Sequence, residues 1–141
     1  MNYVWRFSQY QAWTRRRAID DWRKSLSPAR RAIFDTFLDR IAKMQNWPTG
    51  ICDPIKNHVG CWELRWAAEK VEHRILGYYG GEKEFRMMVG CTHKGKIYDP
   101  PGAFEILDER KAKVEKGEGG LSEYRGHERK SLSPRNGGSA N

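Results

Sequence analysis

Apolar residues recur with a helical period over the first third of the chain. From Ala18 to Leu26, and again from Ile33 to Met44, they return every three or four residues, which predicts two amphipathic helices. Ser27 and Pro28 lie between the two segments, and a serine hydroxyl followed by proline is typical of a helix start. The sequence therefore predicts a helical hairpin, preceded by an aromatic-rich strand over residues 3–10.

A two-residue period replaces the helical one after residue 61. Apolar and polar residues alternate from Trp62 to Ala67, which predicts a strand with one buried face. A two-residue turn at positions 68–69 would pair this strand with the segment that follows it. The resulting register gives two cross-strand pairs: Arg65 opposite Glu72, and Glu63 opposite Arg74.

A third strand is predicted after Gly80 and Gly81, where apolar residues alternate from Phe85 to Cys91. Keeping them on the same face as Ile75 requires a loop with an odd number of residues and a glycine in the left-handed conformation. A short helix is predicted to begin near Pro101. The order β-α-α-β-β-β-α is that of an α+β domain, with the helical hairpin packed on one face of an antiparallel sheet and the other face open.

The composition changes at Gly117. From there to Asn141 the chain is dominated by Gly, Ser, Glu, Arg and Lys, which is typical of segments that cannot build a core. We therefore expect one folded domain over residues 1–116 and a flexible basic and polar tail over residues 117–141.

The net charge of +8 is unevenly distributed along the chain. Residues 1–61 carry 11 Lys and Arg against 5 Asp and Glu, whereas residues 62–110 carry 8 against 9. A basic excess favours a polyanionic partner, either a nucleic acid or the headgroups of a membrane. Any general affinity for polyanions is therefore expected to come from the N-terminal helices and the tail, and not from the strands.

The three cysteines, Cys52, Cys61 and Cys91, form an odd set without metal-ligand spacing. This indicates reduced, buried thiols and neither a disulfide framework nor a zinc site. No stretch approaches the roughly 20 apolar residues of a membrane span, and the N-terminus lacks the pattern of a signal peptide. We expect a soluble, cytoplasmic protein that does not act at a membrane.

Four short motifs follow one another along the chain: WELR, HRILGYY, FRMMVGCTHKGK and PPGAFEILDERKAK. Together with the order of elements they resemble the RelE/ParE superfamily of toxins from bacterial toxin–antitoxin modules, especially its HigB-like, phage-associated branch. The resemblance covers about residues 1–116. It implies a RelE-like fold and a toxin that cleaves mRNA, usually on the ribosome, until an antitoxin, here expected to be a small helix-turn-helix protein, inactivates it.

The chemistry implied by the resemblance needs no metal or other cofactor. The ribose 2′-hydroxyl attacks the adjacent phosphate and leaves a 2′,3′-cyclic phosphate and a 5′-hydroxyl end. Such a reaction needs a base, cations that stabilise the added negative charge, and an acid for the leaving oxygen. The motif positions assign Arg65 and Arg74 to charge stabilisation, His93 to base or acid, and Lys94 to electrostatic support. The candidates for RNA binding are Glu63, Arg86, Lys96 and His58.

One geometric condition applies to His93. By strict alternation it shares the parity of Met87 and Val89, which are expected in the core, so it reaches the polar face only if the strand ends or bulges before it. Two other interpretations remain open. The charged pairs are also what a solvated sheet uses as cross-strand ion pairs. A non-enzymatic member of the superfamily, which inhibits a protein such as DNA gyrase or only binds nucleic acid, is the alternative function.

Overall fold

In the computed structural model of the chain, residues 2–128 are described. These residues form an α+β structure with three α-helices and a seven-stranded, mostly antiparallel sheet. The helices are α1 (Ala18–Ser25), α2 (Pro28–Ala42) and α3 (Ala103–Lys116). The strands are β1 (Arg6–Gln11), β2 (Cys52–Pro54), β3 (Trp62–Ala68), β4 (Val71–Tyr79), β5 (Glu84–Lys94), β6 (Ile97–Asp99) and β7 (Gly120–Tyr124). None of these helices has the length and apolar character that crossing a bilayer requires.

The strand order across the sheet is β2-β3-β4-β5-β1-β7, and β6 pairs with β5. Antiparallel pairing was predicted and is confirmed for β3, β4 and β5, but β1 runs parallel to β5. The predicted order of elements also lacks β2, β6 and β7. The first two contain only three residues each, which is too short to show a period, and β7 lies in a polar segment.

The two predicted N-terminal helices are confirmed, and only Leu26 and Ser27 separate them. The hydroxyl of Ser27 accepts a hydrogen bond from the backbone N–H of Arg30 (3.2 Å) and so caps α2. A different group caps α1: the side-chain oxygen of the buried Gln9 accepts hydrogen bonds from the N–H groups of Ile19 and Asp20, both at 2.9 Å. Because Gln9 belongs to β1, this contact fixes the start of α1 against the sheet.

The predicted register between β3 and β4 is wrong by two residues. The turn consists of Glu69 and Lys70, both with positive φ (52° and 65°), and not of residues 68–69. Arg65 therefore lies opposite Arg74, whereas Glu72 was expected there. A shift of two residues preserves the alternation, so the side chains still point to the predicted faces.

A β-bulge interrupts the pairing of β4 with β5. Leu76 pairs with Val89 and Gly77 with Met87, so Met88 has no partner on β4. A side chain at Gly77 would collide with the backbone carbonyl of Arg86, which explains the glycine. The loop before β5 leaves five residues between the paired Tyr79 and Phe85, an odd number as predicted. Its left-handed residue, however, is Lys83 (φ 55°) and not a glycine.

The bulge divides the apolar residues of β5 between two cores. Phe85 and Met87 lie in the core beneath the α1–α2 hairpin, whereas Val89 and Cys91 lie in a second core beneath α3. The prediction that all four share one face is therefore wrong. The prediction of an open second face is also wrong, because α3 packs on it through Ala103 and Leu107.

Part of the expected tail is folded. Gly120–Tyr124 pairs with β1 as strand β7, and a turn of 3-10 helix over Gly126–Glu128 follows it. His127 is only 2% exposed and contacts the rings of Tyr3 and Phe7 at centroid distances of 5.2 and 5.1 Å. The boundary at residue 117 is therefore wrong for residues 117–128. The rest of the predicted tail, residues 129–141, lies outside the described residues.

His127 predicts a pH-dependent stability. Both of its ring nitrogens lack a hydrogen-bond partner among residues 2–128, and burial lowers its pKa below the ordinary value of 6.5. The unfolded chain therefore binds more protons than the folded one, so the contribution of His127 is present above about pH 6.5 and is lost as the pH falls. A His127→Phe variant should lose less unfolding free energy than the wild type between about pH 7 and pH 5 in urea titrations.

A Tyr124→Phe variant is the matched control, because it alters the same cluster without removing the imidazole. It should keep the pH dependence of the wild type. An equal pH dependence in the His127→Phe variant would contradict the assignment.

Candidate functional site

Four of the predicted site residues lie on one face of the sheet, beside the part that α3 covers. Glu63 and Arg65 come from β3, Arg74 from β4 and His93 from β5. Arg65 pairs with Arg74 across the strands, and Glu72 pairs with His93 in the next row. Neighbouring rows bring Cβ atoms within about 8 Å of each other, so these groups can act on one ligand. We call this surface the arginine–carboxylate face; it consists of Asp53, Glu63, Arg65, Glu72, Arg74 and His93.

Arg74 is the buried centre of this face, with a side chain only 6% exposed. Its Nε lies 3.3 Å from a carboxylate oxygen of Glu63, and its Nη1 donates to Glu72 at 2.9 Å. The same Nη1 donates to the backbone carbonyl of His73 at 3.2 Å. A guanidinium stays charged under burial only where acceptors surround it, and the two carboxylates supply them.

Arg65 is more accessible, with a side chain 39% exposed. Its Nη1 donates to Asp53 at 2.9 Å, and the backbone N–H of Gly50 donates to the same carboxylate at 3.1 Å. Burial alone would raise the pKa of Asp53, but the Gly50 N–H and Arg65 together hold it below its usual value. Asp53 therefore stays ionised and holds one end of the guanidinium, which leaves the remaining N–H groups of Arg65 for a ligand.

His93 reaches this face because of the bulge in β5. Two residues of β5, Met88 and Val89, lie in the core beneath α3, so every later odd-numbered residue of the strand is turned toward α3. The imidazole stacks on Tyr98 of β6, with ring centroids 4.5 Å apart and planes at 17°. Its Nδ1 is buried and has no hydrogen-bond partner among residues 2–128. The condition set by the alternation of the strand is thus met, and Tyr98 fixes the plane of the ring.

The carboxylates of this face differ in their proton affinity. Burial raises the pKa of Glu63, although Arg74 and Arg65 oppose the rise. The hydrogen bond from Arg74 lowers the pKa of Glu72, which is largely exposed. Glu63 is therefore the carboxyl group of this face that can exchange a proton closer to neutral pH.

Cys91, the partner of Arg74 across β4 and β5, does not supply a thiolate. Burial raises its pKa to about 12, so the thiol stays protonated at neutral pH. All three cysteines are buried and free, as predicted. Among residues 2–128, no three His, Cys, Asp or Glu side chains are grouped so that they could hold a metal ion.

The other predicted site residues lie apart from this cluster. Lys94 is exposed at the end of β5, on the opposite face from His93 by alternation, and Lys96 is exposed in the following turn. Arg86 binds Glu84 (3.3 Å) and lies about seven residues, or roughly 20 Å, along β5 from His93. His58 binds Asp108 (3.0 Å) and stacks on Phe104.

Two residues of the site were not predicted. Asp53 lies in the three-residue strand β2, whose sequence shows no period. Tyr98 follows a two-residue hairpin turn at Gly95 and Lys96, where Gly95 has φ 62°. A glycine between two lysines after a strand is a recognisable hairpin signal, so the sequence could have predicted that Tyr98 lies on a strand paired with β5.

Comparisons with models of protein families, with curated proteins and with solved structures found no significant match to this chain.

The two arginines should differ in their effect on stability. Arg74→Gln leaves two carboxylates around a buried site without their cation, and breaking such a pair costs about 3 kcal/mol of unfolding free energy. Arg65→Gln removes a half-exposed pair and should cost less than about 1 kcal/mol. Urea unfolding of both variants measures the difference. Equal losses would show that Arg74 is not the structural centre of this face.

Proposed function

We propose that this protein is a metal-independent endoribonuclease toxin of the RelE/ParE type that cleaves mRNA. The observation that carries the proposal is the position of His93, which the bulge turns onto the same face as Arg65 and Arg74. The order of the four sequence motifs is the second support. A proton-transfer group, two guanidinium groups and a carboxyl group with a raised pKa match the requirements of 2′-hydroxyl attack on a phosphate.

The two arginines have different roles in this mechanism. Arg65 is accessible and donates to the non-bridging oxygens of the scissile phosphate, and Asp53 holds its guanidinium in place. Arg74 is too buried to enclose a phosphate. From its buried position beneath the bound phosphate, it supplies positive potential and positions Glu63 and Glu72.

His93 and Glu63 divide the proton transfers. The carboxylate of Glu63, whose pKa burial raises, accepts the proton of the 2′-hydroxyl while the 2′-oxygen forms the new bond to phosphorus. The bond from phosphorus to the 5′-oxygen breaks, and this oxygen takes a proton from the imidazolium form of His93. The products are a 2′,3′-cyclic phosphate and a 5′-hydroxyl end.

Two exposed cations lie at the end of β5, beyond the arginine–carboxylate face. Lys94 and Lys96 lie at the turn between β5 and β6, directly after His93, where they give electrostatic support to the neighbouring phosphates. In the cell, the substrate is ribosome-bound mRNA in the cytoplasm. The cognate antitoxin is a small helix-turn-helix protein that keeps the toxin inactive.

Transcript mapping tests the nuclease proposal. The wild type and the Arg65→Gln and His93→Gln variants are induced in a bacterial host, and new 5′ ends are mapped together with growth. The wild type should arrest growth and produce 5′-hydroxyl ends, and each variant should lose cleavage by about 100-fold or more. Lys70→Gln, at an exposed position in the β3–β4 turn, is the matched control and should cleave like the wild type.

A second function, inhibition of a protein target without catalysis, is favoured by one observation. Arg65 and Arg74 are already engaged by carboxylates, so this face offers no unpaired guanidinium. The same experiment separates the two functions. Growth arrest without new RNA ends in the wild type, persisting in an Arg65→Ala, Arg74→Ala double variant, would overturn the nuclease proposal.

A further inference from the structure

The most exposed tryptophan of the described residues lies beside a group of six cations. Trp13 is 81% exposed in the loop between β1 and α1. It lines a cleft of about 420 Å³ together with Arg15, Gly117, Gly119 and Gly120. Arg15 also lines a second, adjoining cleft of about 810 Å³ between the loop, α1 and α2. We call the two together the Trp13–arginine cleft; its cations are Arg15, Arg16, Arg17, Arg23, Lys24 and Arg31.

Most of these cations have no carboxylate partner. Arg16 pairs with Asp21 at 3.2 Å, and Arg23 pairs with Asp35 at 2.5 Å. The remaining four form no ion pair among residues 2–128: Arg15, Arg17, Lys24 and Arg31. The arginine–carboxylate face shows the opposite arrangement, since both of its arginines are compensated. Asp20 and Asp21 also line the cleft, but its six cations outnumber them, so a polyanion meets an excess of positive charge there and compensated charge at the proposed catalytic face.

The loop that carries Trp13 is held at both ends. The N–H of Ala12 donates to the carbonyl of Arg16 (3.0 Å), and the N–H of Arg15 donates to the carbonyl of Ala12 (2.8 Å). Gln9 fixes the following helix to β1. The indole is thus presented on a hydrogen-bonded turn, so little conformational entropy is lost when a planar group stacks on it.

We propose that the Trp13–arginine cleft binds single-stranded RNA, with a base stacked on Trp13 and the neighbouring phosphates on Arg15, Arg17, Lys24 and Arg31. An exposed aromatic ring beside a cationic groove is how proteins hold single strands without sequence preference. Stacking on a side chain requires an unstacked base, which excludes an intact duplex as the ligand. The proposal rests on the proposed function for the identity of the ligand as RNA.

An anionic membrane is the other polyanion that a basic helix with tryptophan could meet. The structure disfavours it, because α1 turns its apolar residues inward. Ile19 is fully buried, and Trp22 packs against Gly90 of β5. Trp13 is then the one large exposed apolar side chain that lines the cleft, which is too little apolar surface for insertion into lipid.

The cleft and the proposed catalytic face hold different nucleotides. The residues that line the cleft come from the β1–α1 loop, the two N-terminal helices, the end of β1 and the segment that follows α3, and none of them belongs to the arginine–carboxylate face. The cleft accordingly contacts nucleotides other than the one that carries the scissile phosphate. Its loss should weaken RNA binding without changing the chemistry at a bound phosphate.

Binding of a 12-nucleotide 2′-O-methyl RNA, which cannot be cleaved by 2′-hydroxyl attack, tests the proposal in the full chain by fluorescence anisotropy. Trp13→Ala should weaken binding by about 5-fold or more. Lys24→Gln with Arg31→Gln should reduce the slope of log K against log salt by about 1.4, since each phosphate contact in a single strand contributes about 0.7.

Matched controls are available on other surfaces. Val59→Ala removes an exposed apolar side chain (97% exposed), and Lys56→Gln with Lys70→Gln removes two exposed cations that form no ion pair in the described chain. Both controls should bind like the wild type. Unchanged binding of Trp13→Ala, or equal loss in the charge control, would overturn the proposal.

Two further outcomes separate this proposal from the proposed function. Trp13-dependent binding by a protein that cleaves no transcript would support the cleft and overturn the nuclease. Binding to vesicles rich in phosphatidylserine but not to the oligonucleotide, or binding of a duplex RNA by the wild type as tightly as the single-stranded oligonucleotide, would overturn the single-strand assignment.

Discussion

One extra residue in β5 determines which side chains of this protein share a face. Met88 has no partner on β4, and the strand beyond it is turned over. Two contacts stabilise this irregularity: Gly77 leaves room for the backbone opposite, and Arg110 of α3 donates to the carbonyl of Met88 at 2.8 Å. The reversal sends His93 toward Arg74. It also turns Gly90 toward the hairpin, where a side chain would collide with the indole of Trp22 and prevent α1 from packing.

The charge of the proposed catalytic face follows from the burial of Arg74. A guanidinium with a side chain only 6% exposed must be surrounded by acceptors, and Glu63 and Glu72 provide them. The face is consequently close to neutral, although it contains two arginines. Such a surface is pre-organised to stabilise charge that develops during a reaction, but it attracts a polyanion only weakly. Arg65, held at one end by Asp53, is where this arrangement opens to solvent.

The parts of the fold that follow from local periodicity were predictable, and those set by single residues were not. The hairpin and the cap at Ser27 are properties of a few neighbouring residues. The register of β3 and β4 depends on a turn in which Glu69 and Lys70 both adopt positive φ, and neither residue type signals such a turn. The bulge could not be predicted either, because Met88 and Val89 belong to an apolar run whose alternation predicts a regular strand. Of the candidate site, Glu63, Arg65, Arg74 and His93 were identifiable from motifs and Asp53 was not, whereas the position of His93 on their face required the bulge.

Charge is compensated at the arginine–carboxylate face and exposed at the Trp13–arginine cleft, so the two surfaces have different physical roles. Salt has little effect on the interactions of buried, compensated charges. It weakens the attraction between exposed cations and a polyanion that is more than a Debye length away. The proposed capture of RNA at the cleft should thus respond to salt, and the proposed stabilisation of a bound phosphate at the arginine–carboxylate face should not. Helix α1 contacts both regions. Its Lys24 lines the cleft, and its Trp22 packs on Gly90 of β5, three residues before His93. An RNA strand bound at the cleft would therefore contact α1, and α1 packs against β5, the strand that positions the imidazole of His93.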